Sequence, residues 1–174
     1  MLRRAHTKSE KMIKVDHVGE NGAVHIYRAQ RWVAKFRAPD LLPEIDRFIS
    51  HEQTHRDIFK DYLSANNIHR CISYHFGGIG GTILGFITGL LGRSAIAATT
   101  YAVETVVLTH LEEQLVFLKD HDKQAHDCVL KIYADEKEHL DIATHQLYEN
   151  NKFTPALIRI VTFSTELVIR FGMR

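Results

Sequence analysis

Two short stretches carry residue types that can hold a metal ion, Glu52-Gln-Thr-His55 and Glu136-Lys-Glu-His139. On a helix, residues i and i+3 share a face, so each carboxylate and imidazole can reach one cation. Neither stretch is decisive alone. With 11 glutamates and 12 histidines among 174 residues, chance supplies roughly one such pair. The surroundings add more. Glu20, in Asp16-His17-Val18-Gly19-Glu20, lies 32 residues before Glu52, and Glu104, in Tyr101-Ala102-Val103-Glu104-Thr105, lies 32 residues before Glu136. A lone glutamate followed by Glu-x-x-His therefore occurs twice at equal spacing. The neighbours of Glu104 are apolar or small, and a carboxylate buried there is costly unless paired or metal-bound. Carboxylate oxygens can hold two cations close together, imidazoles add borderline nitrogen ligands, and six protein ligands leave positions open for water or oxygen. The competing reading makes these glutamates solvated helix-face charges paired with nearby Lys and Arg. It suits any single motif better than all six residues in register.

The elements that must position these residues are helices. Apolar periodicity and stop signals predict six, over about 9–37, 43–66, 71–92, 94–118, 122–150 and 154–171. On the first, Ile13, Val24, Tyr27 and Ala34 fall on one face. Pro39 and Pro43 punctuate the first junction, and Thr154-Pro155 reads as a helix start. Nothing alternates with period two, so the chain is expected to be all-α. One glutamate and one Glu-x-x-His per helix pair is the ligand order of di-iron and di-manganese carboxylate four-helix bundles.

The third stretch differs in kind. Residues 71–92 contain no Lys, Arg, Asp or Glu, and Gly77, Gly81, Gly85 and Gly89 recur every fourth residue, along one helix edge. Three readings stand side by side: a transmembrane span, a buried helix packed through its glycine edge, and an interfacial helix dipping into one leaflet. Elsewhere the composition is balanced. There are 22 basic and 21 acidic side chains, for a net charge of +1, which argues against a nucleic-acid footprint over the whole surface. Two cysteines are too few for a disulfide framework and fit a reducing compartment. No secretory signal is expected in residues 1–11, which read as a flexible N-terminus before a single domain over 12–174. No nucleotide-binding glycine loop is evident, since the one glycine-rich stretch has no strand before it.

Taken together, Asp-His-x-Gly-Glu on the first helix, Glu-x-x-His on the second, Ala-Val-Glu on the fourth and Asp-Glu-x-Glu-His on the fifth resemble the demethoxyubiquinone hydroxylases of ubiquinone biosynthesis. The Leu-Gly-Phe and Leu-Leu-Gly segments of the third helix add to the resemblance, which covers roughly residues 12–170. It implies a ferritin-like four-helix bundle with additional apolar, membrane-facing helices. It also implies a non-haem centre of two Fe ions that uses dioxygen to hydroxylate the demethoxyquinone ring. Carried over by position, Glu20 and Glu104 would be terminal carboxylates, Glu52 and Glu136 would bridge, and His55 and His139 would each cap one iron. The third helix would admit a polyprenyl quinone from the membrane surface. The resemblance further implies a peripheral location at the cytoplasmic face of a bacterial inner membrane, or alternatively the matrix face of a mitochondrial one. A homo-oligomer or a ubiquinone-biosynthesis partner protein is compatible with it. Asn21 and Leu111 depart from the family pattern without touching a ligand position.

Asp135 and His110 are candidates for supporting the ligands from outside, Asp135 as an acceptor for a ligand imidazole. A solvated acidic run and a satisfied core histidine are the alternatives. His25, His121, His126 and His145 read as surface residues. Two rival functions remain: another di-metal activity on the same scaffold, of ferroxidase or manganese-catalase type, and a non-catalytic quinone- or lipid-binding helical protein.

Overall fold

The computed structural model describes residues 2–147 and 154–172. Six α-helices account for nearly all of it: α1 Lys8–Arg37, α2 Leu42–Ala65, α3 Tyr74–Leu91, α4 Arg93–His121, α5 Lys123–Gln146 and α6 Thr154–Gly172. A 3₁₀ turn, Pro39–Leu41, joins α1 to α2. Among the described residues the only β-type pairing is an isolated bridge between Arg3 and Ile68. The fold is an all-α, ferritin-like bundle. Helix α1 packs on α2 and α4 on α5, and the two pairs meet through α2 with α5 and α1 with α4. Outside this four-helix core, α3 lies along α1 and α6 along α4.

Local chemistry sets the helix ends. Thr7 and Glu10 form a reciprocal capping box at the start of α1. Arg3 forks onto the Glu10 carboxylate and exchanges backbone hydrogen bonds with Asn67 and His69. The segment expected to be a flexible lead-in is thus pinned from Arg3 onward, and α1 begins within it at Lys8. The Arg3 bond, over the opposition of burial, holds the Glu10 carboxyl down to about 2. Asp122 caps α5 by accepting from the Ala125 amide, and its other oxygen accepts from the Tyr62 hydroxyl at 2.6 Å. Gly92, at φ +96°, makes the abrupt turn between α3 and α4 in a conformation that a side chain would strain. Helix α5 ends at Gln146, where Leu147 turns extended, so the helix stops short of the predicted 150; residues 150 and 151 lie outside the described residues.

The apolar core comes in two parts. Ile13, Phe59, Leu111, Leu118, Val129 and Ile132 belong to one cluster, and Ala23, Tyr27, Ala34, Ile45, Phe48 and Ile96 to another. On each bundle helix the candidate ligands fall between the two sets in sequence. A polar layer therefore crosses the middle of the bundle.

The third helix has one packed edge and one exposed apolar face. Its glycine edge faces α1 so closely that a Cβ on Gly81 would run into the Gly22 carbonyl, and one on Gly85 into the Ile26 carbonyl. Asn21 strengthens the junction by donating to the Tyr74 carbonyl at 3.0 Å. The opposite face carries Phe76, Ile79, Ile83, Phe86, Ile87 and Leu90, all exposed. It is the one described helix long and apolar enough to cross a membrane by length and composition, with a mean hydropathy of 1.2 over 18 residues. Helix α6 likewise exposes Ile160, Phe163, Leu167 and Phe171.

Candidate metal centre

The four bundle helices bring all six motif residues together. Glu20 comes from α1, Glu52 and His55 from α2, Glu104 from α4, and Glu136 and His139 from α5. All are buried, with Glu52, His55, Glu104, Glu136 and His139 no more than 1% exposed. They form two overlapping groups, Glu20-Glu52-His55-Glu136 and Glu52-Glu104-Glu136-His139, whose donor atoms lie within 4.8 Å of one another. Glu52 and Glu136 belong to both. His55 Nδ1 stands 2.8 Å from Glu136 Oε1 and 3.8 Å from Glu20 Oε2. His139 Nδ1 stands 3.2 Å from Glu52 Oε1 and 3.7 Å from Glu136 Oε2.

Glu52 Oε1, His55 Nδ1, Glu136 Oε1 and His139 Nδ1 are buried without an aligned hydrogen-bond partner. Buried polar atoms are normally satisfied, and four converging orphans, with charge of one sign predominating, fit a pair of divalent cations. Burial first, and then the neighbouring Glu136 charge, raises Glu52 and Glu104 well above the usual carboxylate range. For Glu136, burial acts upward, but the facing imidazoles of His139 and His55 outweigh it and hold the carboxyl below that range. For His55, burial acts downward, yet Glu136 and Glu20 push the imidazole up to about 11. Without a cation, a proton on His55 offsets part of the negative charge.

A further ring of residues orients the donors. His55 turns its outer nitrogen, Nε2, to Asp135 Oδ2 at 3.1 Å, and His139 Nε2 meets His51 Nδ1 at the same distance. Such outer partners fix the tautomer of a ligand imidazole. The Tyr27 hydroxyl donates to Glu104 Oε1 at 2.8 Å inside the core. The sequence places Tyr27 on the apolar face of the first helix and gives His51 no separate role. Signals for both existed, since Tyr27 is seven residues after Glu20 and His51 is four before His55, each on the same helix face as a ligand. His110 points elsewhere, to Glu166 of α6 at 3.3 Å. Of the histidines expected at the surface, His121 and His145 are exposed, whereas His25 and His126 are half-buried; His25 is drawn in by a 2.7 Å bond from Nδ1 to the Asn21 carbonyl.

Two further polar residues of α1 are the half-buried Asp16 and the buried His17. Asp16 accepts from Gln114 at 2.9 Å, and burial raises its carboxyl to about 8 despite that bond. His17 stacks on Tyr74 with neither ring nitrogen partnered.

A helical bundle whose four central helices converge carboxylates and two histidines on one buried layer defines the class, a ferritin-like carboxylate–histidine protein. The family described as Ubiquinone biosynthesis protein COQ7 matches residues 7–172. A relative from Dictyostelium discoideum named NADPH-dependent 3-demethoxyubiquinone 3-hydroxylase, mitochondrial, is 33% identical over 95% of this chain and 76% of its own. The Caenorhabditis elegans protein of the same name is 31% identical over 80% of this chain and 78% of its own. A Rhodospirillum rubrum protein named 3-demethoxyubiquinol 3-hydroxylase is 27% identical over 76% of this chain and 62% of its own. The chain belongs to the COQ7 family of ubiquinone biosynthesis proteins.

Proposed function

We propose that this protein is a membrane-associated di-iron monooxygenase that hydroxylates the ring of demethoxyubiquinone, with dioxygen as co-substrate. The observation that carries the reading is the pair of interlocking donor groups sharing Glu52 and Glu136. Glu52 and Glu136, common to both groups, would be shared by two irons, with Glu20 and His55 holding one and Glu104 and His139 the other. NADPH, in the names of the Dictyostelium and Caenorhabditis relatives, serves as the reductant: one oxygen atom enters the ring C–H bond, the other leaves as water, and NADPH with one proton from solvent supplies the two electrons and two hydrogens that water needs.

The metal pair, when bound, supplies the redox chemistry on oxygen. This chain's residues prepare the site for it. Asp135 and His51 accept hydrogen bonds from the Nε2–H groups of His55 and His139 and leave the inner nitrogens free to coordinate. Tyr27 fixes the Glu104 carboxylate by donating to one oxygen. The two apolar clusters on either side of the layer exclude bulk water. Substrate delivery falls to α3, because a polyprenyl quinone partitions into lipid. A helix bound lengthwise to α1 by its glycine edge would pull the charged residues of α1 into the bilayer if it spanned, so its outer face is read as lying in the interface.

The test is metal content after anaerobic reconstitution with ferrous iron, followed by turnover of a short-chain demethoxyubiquinone. Two irons per chain and ring hydroxylation in wild type, with both lost in Glu136→Ala, is the expected result. Full activity in that variant overturns the mechanism. Peroxide disproportionation without quinone turnover would point instead to the catalase-type rival.

A further inference from the structure

Two adjoining cavities, of about 460 and 410 Å³, follow the outer seam of α1 and α3. They share His25 and Thr82 and so read as one groove. One end is lined by Arg56, Tyr74 and His75; the other by Ala29, Trp32 and Phe86, with Arg28 beside them. From His75 to Phe86 the groove follows eleven residues of helix, roughly 16 Å. Trp32 and Phe86 pack against each other at the apolar end, at 5.8 Å between ring centroids, and both are exposed.

The cationic end has no acidic partner in an ion pair among the described residues. Among the described residues, the ion pairs formed by arginines are Arg3–Glu10, Arg31–Asp46, Arg47–Glu138 and Arg93–Asp40. Arg28, Arg56 and Arg70 take part in none of them. Arg70 instead lies over the Tyr74 ring and contacts His75 Nε2 at 3.0 Å. These charges are felt nearby: burial first, then Arg56, Arg70 and Lys60, holds the His17 imidazole down to about 4. Demethoxyubiquinone is neutral, so these cations do not serve the quinone, and the phosphates of NADPH are the soluble alternative that vesicle flotation separates from a lipid.

We propose that this groove seats an anionic phospholipid of the membrane surface, its phosphate at the Arg56 end and the upper part of an acyl chain against Trp32 and Phe86, with Arg28 on the groove wall adding to the positive charge that the headgroup layer meets. The proposal rests on the reading of α3 as an interfacial helix. It adds that the contact selects lipid charge. A basic residue at an anionic surface is worth about a fivefold change in binding, so the two arginines together account for roughly thirtyfold.

The experiment is flotation of the iron-reconstituted protein with vesicles of phosphatidylcholine alone and with 30% phosphatidylglycerol. Wild type, Arg28→Glu/Arg56→Glu and a control, Lys119→Glu/Lys131→Glu, are compared, with helicity by circular dichroism confirming that each is folded. Wild type and control are expected to bind the anionic vesicles more tightly by an order of magnitude or more. The groove variant should lose that gain while keeping its binding to neutral vesicles. A gain that persists in the groove variant, or disappears equally in the control, overturns the proposal and leaves the interfacial reading intact. Absence of binding to both vesicle types overturns both. Displacement of wild type from anionic vesicles by micromolar NADPH or inorganic phosphate overturns the lipid assignment in favour of a soluble phosphate ligand.

Discussion

Replacing Glu104 by Gln tests the electrostatics of the buried layer most directly. Glu104 is fully buried, with its carboxyl raised well above the unfolded value of 4.5, first by burial and then by Glu136. A group whose folded pKa is raised carries its full stabilising contribution below pH 4.5 and loses it as pH climbs toward the folded value. The slope over that window is about 1.4 kcal/mol per pH unit. From pH 4.5 to 7 the metal-free wild type therefore loses up to about 3 kcal/mol through this one side chain. Gln keeps the shape and can still accept from Tyr27, but it does not titrate. Metal-free Glu104→Gln should match wild type near pH 4.5 and exceed it by up to about 3 kcal/mol at pH 7, a gain in Tm of roughly 6–12 °C for a chain of this size. Urea unfolding of chelator-treated protein across this pH range measures the difference. Ferrous iron should then reverse the order, raising the Tm of wild type far more than that of the variant. A difference that stays flat with pH, or a variant less stable throughout, would show that Glu104 folds as an ionised and compensated partner, and the reasoning would fail.

Asp135→Asn weakens the acceptor that orients His55 and should lower iron affinity by about 10- to 100-fold with little change in fold, measured by competition with a chelator. Tyr27→Phe removes the hydrogen bond to Glu104 and should cost metal-free stability by about 1 kcal/mol, read by chemical denaturation. Because iron must displace the proton that His55 holds up to a pKa of about 11, binding should release protons and strengthen as pH rises; calorimetry in buffers of different ionisation enthalpy would count them. Gly85→Val pushes a side chain into the Ile26 carbonyl and should destabilise by about 1–3 kcal/mol, with loss of neutral-vesicle binding if α3 separates from α1.

The six residues of the polar layer were legible because the helix period itself encodes them: i, i+3 places Glu and His side by side, and the repeated 32-residue interval puts each pair opposite a lone glutamate. Their neighbours were harder to see. The bond from Tyr27 to Glu104 crosses 77 residues, and a tyrosine on an apolar face looks like ordinary core until its hydroxyl has a destination. His110 sits six residues beyond Glu104, yet α6 supplies Glu166 and draws it away from the centre. The third helix admitted competing readings because each weighed one side of the same cylinder. The glycines describe the side against α1, the isoleucines and phenylalanines the side away from it, and only packing reveals that both descriptions hold. Arg3 shows the opposite failure. A basic, apolar-poor terminus looks mobile in isolation, but its partners Asn67 and His69 arrive from the end of α2.

Helix α1 has an economy of distance built into it. Glu20 turns toward the buried layer, while Gly22, two residues later, receives Gly81 of α3. The carboxylate centre and the seam carrying the apolar exterior are therefore separated by the thickness of one helix, about 10 Å. A quinone ring would have to travel only that far inward while its isoprenoid chain stayed in hydrocarbon. The long, greasy part of such a molecule would never need a tunnel through the protein, so tail length should weigh little on the rate of the ring chemistry.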